Sequence, residues 1–206
     1  SYLGSLKALA KVERERLLGD PKLGGNWKIR PAAGLMFRRE WCHALSAPPA
    51  DLESVVRYWD LAATEVTPNN DPAWTVGVKL GRYRRSSFQV TPRYVVLDVR
   101  RAQVSAHKVK TMIRNTAEAD GHPVRVGHPQ DPGQAGKTQV ADMAGLLAGF
   151  DVRAEIESGD TTTRFCPFSA QGEAGNVDYV LGPWNEVYLS SLENFPDGKV
   201  KDDADA

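Results

Sequence analysis

Cysteine is almost missing from this chain: Cys42 and Cys166 are the only two in 206 residues, with no paired spacing to each other or to a histidine. That scarcity excludes a disulfide framework or a thiolate zinc site as the organising device and fits a reducing compartment. No apolar run approaches the roughly 20 residues that span a bilayer. The first residues also lack a charged head followed by an apolar core, so no membrane or signal segment is expected. Net charge is absent too, since 26 Lys and Arg balance 26 Asp and Glu. There is no G-x-S-x-G elbow for a serine nucleophile, no internal repeat and no low-complexity tract.

What is present is ordinary in amount and uneven in placement. A hydrophobic fraction of 41% and a charged fraction of 25% describe a globular chain, long enough for one substantial domain and a short appendage. Residues 79–137 hold 12 Lys or Arg against 4 Asp or Glu, leaving 14 against 22 elsewhere. A basic middle is a footprint for a polyanion, and acidic flanks can supply metal-binding carboxylates; solvated element faces are the alternative.

Periodicity orders the chain. SLKALAKVERERLLG at 5–19 has helical spacing, and short strands are expected around 27–29 and 35–37. The Ala-Pro-Pro-Ala run at 47–50 marks a boundary between an appendage, 1–50, and a main domain, 51–206. From Ser54 three β-branched and aromatic runs follow in succession, SVVRYWDLA, AWTVGVKLG and SFQVTPRYVVLDVRRAQ, as in an antiparallel meander. Helix-like and strand-like segments then alternate: helices near 104–119, 137–149, 161–173 and 185–194, and strands near 124–130, 151–156 and 178–181. A meander followed by alternating units predicts an α/β fold, a mixed sheet with helices on both faces. The chain starts in helix-like sequence and stops after an acidic cluster, so it is expected to be a piece of something longer.

DPGQAGKT, Asp131–Thr138, is one residue short of a P-loop, with Asp131 where a glycine would stand. An aspartate there repels phosphates and removes glycine's conformational freedom, so no nucleotide site is expected. Asp131 instead follows a strand end, where open α/β sheets place their sites, although a turn aspartate before Pro-Gly also suits the sequence. Asp60 ends the apolar run RYWD, where a carboxylate must be paired, protonated, metal-bound or used in a cap. Arg57 lies on the opposite face of that strand. In VKDDADA, Asp202 and Asp205 share a face if a helix starts there, while Asp203 points elsewhere; an acidic tail is the alternative. Oxygen-only ligands of this kind suit Mg²⁺ or Mn²⁺, and two such ions could hydrolyse a phosphodiester. His128 is expected to pack or hydrogen-bond rather than act as a base.

The ordered set RYWDLAAT, HPQDPGQAGKT, TTRFCPFSAQGEAGNV and FPDGKVKDDADA resembles the nuclease domain of the large terminase subunits of tailed bacteriophages. The resemblance runs from about Glu13 to the end, where ERERLLGDPKLGGNWKIRPAAGLMFRREW is similar to the segment that joins that family's ATPase domain to its nuclease. It implies a ribonuclease-H-like fold and a metal-dependent endonuclease that cuts concatemeric viral DNA during packaging. Two divalent cations, Mg²⁺ or Mn²⁺, would be held by Asp60, Asp131, Asp202 and Asp205, with Asp203 less firmly placed because Lys201 departs from the family's pattern. Arg164 matches a family arginine, Lys137 is a second phosphate-facing cation, and Arg82, Arg84 and Arg85 would track a DNA backbone from a hairpin loop. Implied partners are double-stranded DNA, the ATPase domain absent from this chain, the small terminase subunit and the portal, in the cytoplasm of an infected bacterium. A resolvase or strand-transfer enzyme of the same fold, or a non-catalytic DNA clamp or portal-docking module, are the rival readings.

Overall fold

Past an irregularity at Leu52–Ser54, side chains alternate along VRYWD, and that alternation divides the molecule into two layers. The computed structural model describes residues 36–206 apart from 63–64, 68, 71 and 86–90. The chain divides after Leu35, and the expected helix at 5–19 and strand at 27–29 lie outside the described residues.

The strands are β1 (His43–Leu45), β2 (Leu52–Asp60), β3 (Thr75–Tyr83), β4 (Arg93–Ala102), β5 (Arg125–Pro129), β6 (Val152–Glu155) and β7 (Val177–Val180). The helices are α1 (Ala106–Asp120), α2 (Gln134–Leu146), α3 (Thr161–Glu173), α4 (Asn185–Asn194) and α5 (Asp202–Asp205). One sheet takes all seven strands in the order β1-β7-β4-β3-β2-β5-β6. β2, β3 and β4 form the expected antiparallel meander, while β5 joins β2, β6 joins β5 and β7 joins β4, all in parallel.

Trp59 of β2 and Val126 of β5 meet Val109 and Ile113 of α1, Met143 of α2 and Leu147 just past its end on one face. On the other, Val76, Val78 and Val96 meet Phe165 of α3 and Leu189 and Leu192 of α4. Each of these large side chains contributes about 1.5–3 kcal/mol on burial. A bulge in β4 shifts the register between Lys79 and Leu80, so that Val96 and Val99, three apart, both reach the second core.

Several boundaries differ from the sequence reading. Phe37, ahead of residue 50, is 1% exposed in the core. His43–Leu45 also adds an edge strand beside β7. No strand forms at 36–37. α2 starts at Gln134 rather than 137, because Gly133, at φ 96°, turns the chain straight from β5 into the helix.

Two aromatic residues of β2 lie flat over glycines on its neighbours. A Cβ on Gly77 would stand 2.6 Å from the Trp59 ring, and one on Gly127 2.6 Å from the Tyr58 ring. Beside Trp59, Arg57 is 1% exposed. It donates to Asp120 through Nε at 2.8 Å, to Asp98 through Nη2 at 2.8 Å and to the Gly77 carbonyl at 3.0 Å. Lys79 adds a second cation to Asp120 at 3.0 Å. The guanidinium thereby ties β2, β3, β4 and the end of α1 together. Arg57→Ala leaves these acceptors without their central donor and is expected to cost about 3–5 kcal/mol, read as a lower urea midpoint with an unchanged slope.

Candidate active site

Parallel pairing brings the ends of three strands to one edge of the sheet. Asp60 is the last residue of β2. The β2–β5 ladder ends where Tyr58 pairs with Gly127; β2 runs on two residues to Asp60 and β5 two residues to Pro129, with Asp131 about 7 Å further along its chain. Pro129 pairs with Glu155, so Glu157 stands just past the third strand end. By alternation Asp60 and Tyr58 share the face covered by α3 and α5, and Trp59 points the other way.

α5 is docked through Trp74 and Arg101 at the β3–β4 end of this edge. The Trp74 amide donates to Asp202 Oδ2 at 3.2 Å. Arg101 stacks over the Trp74 ring with 4.5 Å from its guanidinium carbon to the ring centroid, and its Nε stands 3.1 Å from Asp203 Oδ1. Asp203 is 2% exposed, and burial raises its carboxyl above the usual range, against the pull of the Ser191 side chain and then of Arg101. The Arg101 Nε is not aligned for a hydrogen bond, so its attraction to Asp203 is that of an ion pair. Asp203, expected as an uncertain metal ligand, is therefore turned into the interior by the one-turn helix that turns Asp202 and Asp205 outward.

Asp205 accepts from Thr161 Oγ1 at 2.8 Å and from Arg164. Arg164 also stands 3.3 Å from Glu157 Oε2 and donates to the Gly159 carbonyl at 2.9 Å. Tyr58 donates its hydroxyl to Glu157 Oε1 at 3.0 Å, a reach that the missing side chain of Gly127 beneath its ring permits. A cavity of about 420 Å³ opens here, with Tyr58, Glu157, Arg164 and Asp205 above an apolar floor that includes Val56, Val78 and Phe165.

The charge in this corner is crowded. Burial, then the negative charges of Asp205, Asp202 and Glu157, push the Asp60 carboxyl up to about 7. The backbone N–H of Leu61 opposes the rise without cancelling it. The structure thus groups Asp60, Asp202, Asp205, Glu157 and Arg164. Glu157 was missed in the sequence, although it follows a strand end in the same way as Asp60 and Asp131. Asp131 is exposed, and the leading charges acting on Asp60 are those of Asp205, Asp202 and Glu157. Gly136 packs so closely on the Asp131 backbone that a Cβ there would stand 1.9 Å from its carbonyl oxygen. That contact is a steric reason for a glycine of DPGQAGKT that needs no nucleotide.

Other expected residues lie elsewhere. Lys137 is exposed on the first turn of α2. Arg82 and Arg84 pair with Glu53, and Arg85 stands 3.6 Å from Asp178. Tyr83 pairs with Leu52 and Val76 with Asp60, so these arginines sit a full strand length from Asp60, about 25 Å. His128 is fully buried, with Nδ1 2.9 Å from the Pro129 carbonyl oxygen, on the face opposite Asp60.

Among the described residues no three acidic, histidine or cysteine side chains form a closed metal cage. The donors nevertheless fit a hard divalent cation. They are carboxylate oxygens whose mutual repulsion a cation relieves, and Mg²⁺ commonly takes one or two carboxylates and completes its shell with water and phosphate oxygens.

A mixed sheet with a meander and parallel additions, helices on both faces and carboxylates at the parallel strand ends defines the class as ribonuclease-H-like. The family model described as the Terminase RNaseH-like domain matches residues 57–206. The chain belongs to that family, which bears out the resemblance read from its motifs. Among solved structures it is similar to the large terminase nuclease of the thermophilic phage G20c. The magnesium-bound form has 10% identity and a TM-score of 0.52, covering 80% of this chain and 82% of that one. The zinc-bound form has 11% identity and a TM-score of 0.52, covering 80% and 89%. The manganese-soaked terminase nuclease domain of human cytomegalovirus has 13% identity and a TM-score of 0.50, covering 73% and 78%. No curated protein matches in sequence. Among the described residues no helix is long and apolar enough to cross a membrane.

Two predictions follow from these electrostatics. With Asp60 protonated below about 7 when folded and below the ordinary 3.8 otherwise, the folded chain holds the extra proton between those values. Asp60 therefore opposes folding increasingly as pH rises through that window, and fully above it. Asp60→Asn is expected to stabilise the metal-free protein at pH 8 by about 1–3 kcal/mol and to change little at pH 4, as urea unfolding at both pH values would show. Asp203→Ala strands Arg101 and is expected to cost about 3 kcal/mol, whereas Asp131→Ala, at an exposed site, should stay within about 0.5 kcal/mol in the same measurement.

Proposed function

We propose that this chain is the endonuclease domain of a viral DNA-packaging terminase, hydrolysing double-stranded DNA with little sequence preference. The observation that carries the reading is the convergence of Asp60, Asp202 and Asp205 at one sheet edge in a chain of the terminase family. Asp60, Asp202 and Asp205, with Asp131 at the adjoining strand end, are the residues to hold divalent cations, Mg²⁺ or Mn²⁺. Two such ions bound there would supply an activated water and stabilise the leaving oxygen.

The chain's own groups complete the site. Arg164, already drawn to Asp205 and Glu157, offers its guanidinium to a phosphate once cations take over the carboxylates. Tyr58 orients Glu157, and Thr161 fixes the Asp205 carboxylate. The apolar floor of the cavity limits water around the charged groups and strengthens their interactions. In the full motor this domain would work beside an ATPase domain, a small terminase subunit and the portal, in the cytoplasm of the infected host.

Supercoiled plasmid incubated with Mn²⁺, Mg²⁺ or EDTA is expected to become nicked and then linear only with metal. Asp60→Ala and Asp202→Ala should reduce conversion to background. Metal-dependent cutting that survives both substitutions would overturn the assignment of the site. Absence of cutting in every metal would leave a DNA-clamping or portal-docking module as the better description.

A further inference from the structure

The basic middle of the chain, residues 79–137, presents a surface apart from Arg82–Arg85. A groove of about 760 Å³ runs between β4 and α1. Arg100 and Arg101 lie on its strand side, with His107, Lys108, Thr111 and Asn115 on its helix side and no carboxylate in its lining. His107, Thr111 and Asn115 recur every four residues and Lys108 begins the adjoining row, so one face of α1 presents hydrogen-bonding side chains along the groove. From residue 107 to 119 that face is about 18 Å long, roughly five nucleotide steps along one strand of B-DNA.

The groove opens at the edge that holds the carboxylates. Asp60 pairs with Val76 and Val76 with Arg101, so the strand floor of the groove lies two strand spacings, about 10 Å, from the Asp60 backbone. Arg101 is committed to Asp203, but Arg100 and Lys108 remain 56% and 66% exposed. Arg100 shares Asp98 Oδ2 with the buried Arg57, and Lys108 reaches Glu65 at 3.3 Å across exposed surface. Exposed pairs of this kind contribute little and exchange readily for a phosphate. The guanidinium of Arg100 offers a fork to two phosphate oxygens, and Lys108 a mobile point charge.

We propose that the β4–α1 groove is a track for the phosphodiester backbone of the DNA, gripping one strand without reading bases and leading it over the sheet edge toward Asp60. The inference rests on the nuclease reading for its substrate, but it concerns binding and can be tested apart from cleavage.

The test is fluorescence anisotropy of the 206-residue chain with a labelled 30-base-pair duplex in EDTA, over a series of salt concentrations. The wild type, Arg100→Ala/Lys108→Ala, Arg82→Ala/Arg84→Ala and Asp60→Asn would be compared, each checked for folding by circular dichroism. The groove variant is expected to lose about tenfold in affinity and to flatten the dependence of log affinity on log salt by about 2, as for two lost phosphate contacts. Arg82→Ala/Arg84→Ala, at the far end of the sheet, should keep the wild-type slope, and Asp60→Asn should bind at least as well as the wild type. An unchanged affinity and slope in the groove variant, or no binding by the wild type, would overturn the proposal. Groove-dependent binding without metal-dependent cutting would uphold the track and sink the nuclease reading. Cutting with groove-independent binding would do the reverse.

Discussion

The parallel hydrogen-bonded ladder between β2 and β5 is the constraint on which the site depends. Antiparallel neighbours would carry the ends of β2 and β5 to opposite edges of the sheet. Parallel pairing, continued from β5 to β6, instead gathers Asp60, Asp131 and Glu157 along one edge. The ladder itself is made possible by close approach: Gly127 leaves room for the Tyr58 ring and Gly77 for the Trp59 ring on the other neighbour. Tyr58 then reaches Glu157 and Trp59 fills the α1–α2 core, so adjacent residues of one strand serve the site and the fold separately.

Charge is handled differently on the two faces of that strand. Arg57 is buried with Asp98 and Asp120 around it, a compensated network that joins four elements. Three residues on, Asp60 faces other carboxylates and has its proton affinity raised to about 7. A structure that pairs its buried charges in one place and sets like charges against each other in another is storing electrostatic work at the second. The Arg101–Asp203 pair and the Trp74 amide hold α5 against that repulsion. Without them a one-turn helix carrying three aspartates would have little reason to stay beside Asp60.

Much of this was legible in the residues. The bounds of α3 and α4 agree with their helical spacing, and the β-branched and aromatic runs located the meander, because long periodic segments report the face they bury. Asp60, Asp202 and Asp205, which the fold brings to one edge, were singled out by the same means: an ionisable group at the end of an apolar strand, and two carboxylates three apart. β1 was missed because it is three residues long with an exposed pattern, and its place in the sheet comes wholly from β7. Glu157 was missed because IESG reads as a polar strand end until β6 is known to lie beside β5.

The sequence by itself determined the longer helices and strands, that the sheet is mixed, and which carboxylates stand at element ends, since these depend on alternation and spacing along the chain. Only the tertiary structure decided which of them meet. Strand order brought Glu157 and Arg164 to Asp205, left Asp131 exposed beside them, and carried Arg82, Arg84 and Arg85 to the far end of β3. The direction in which a neighbouring strand runs is set by long-range pairing, and no local pattern of residues records it.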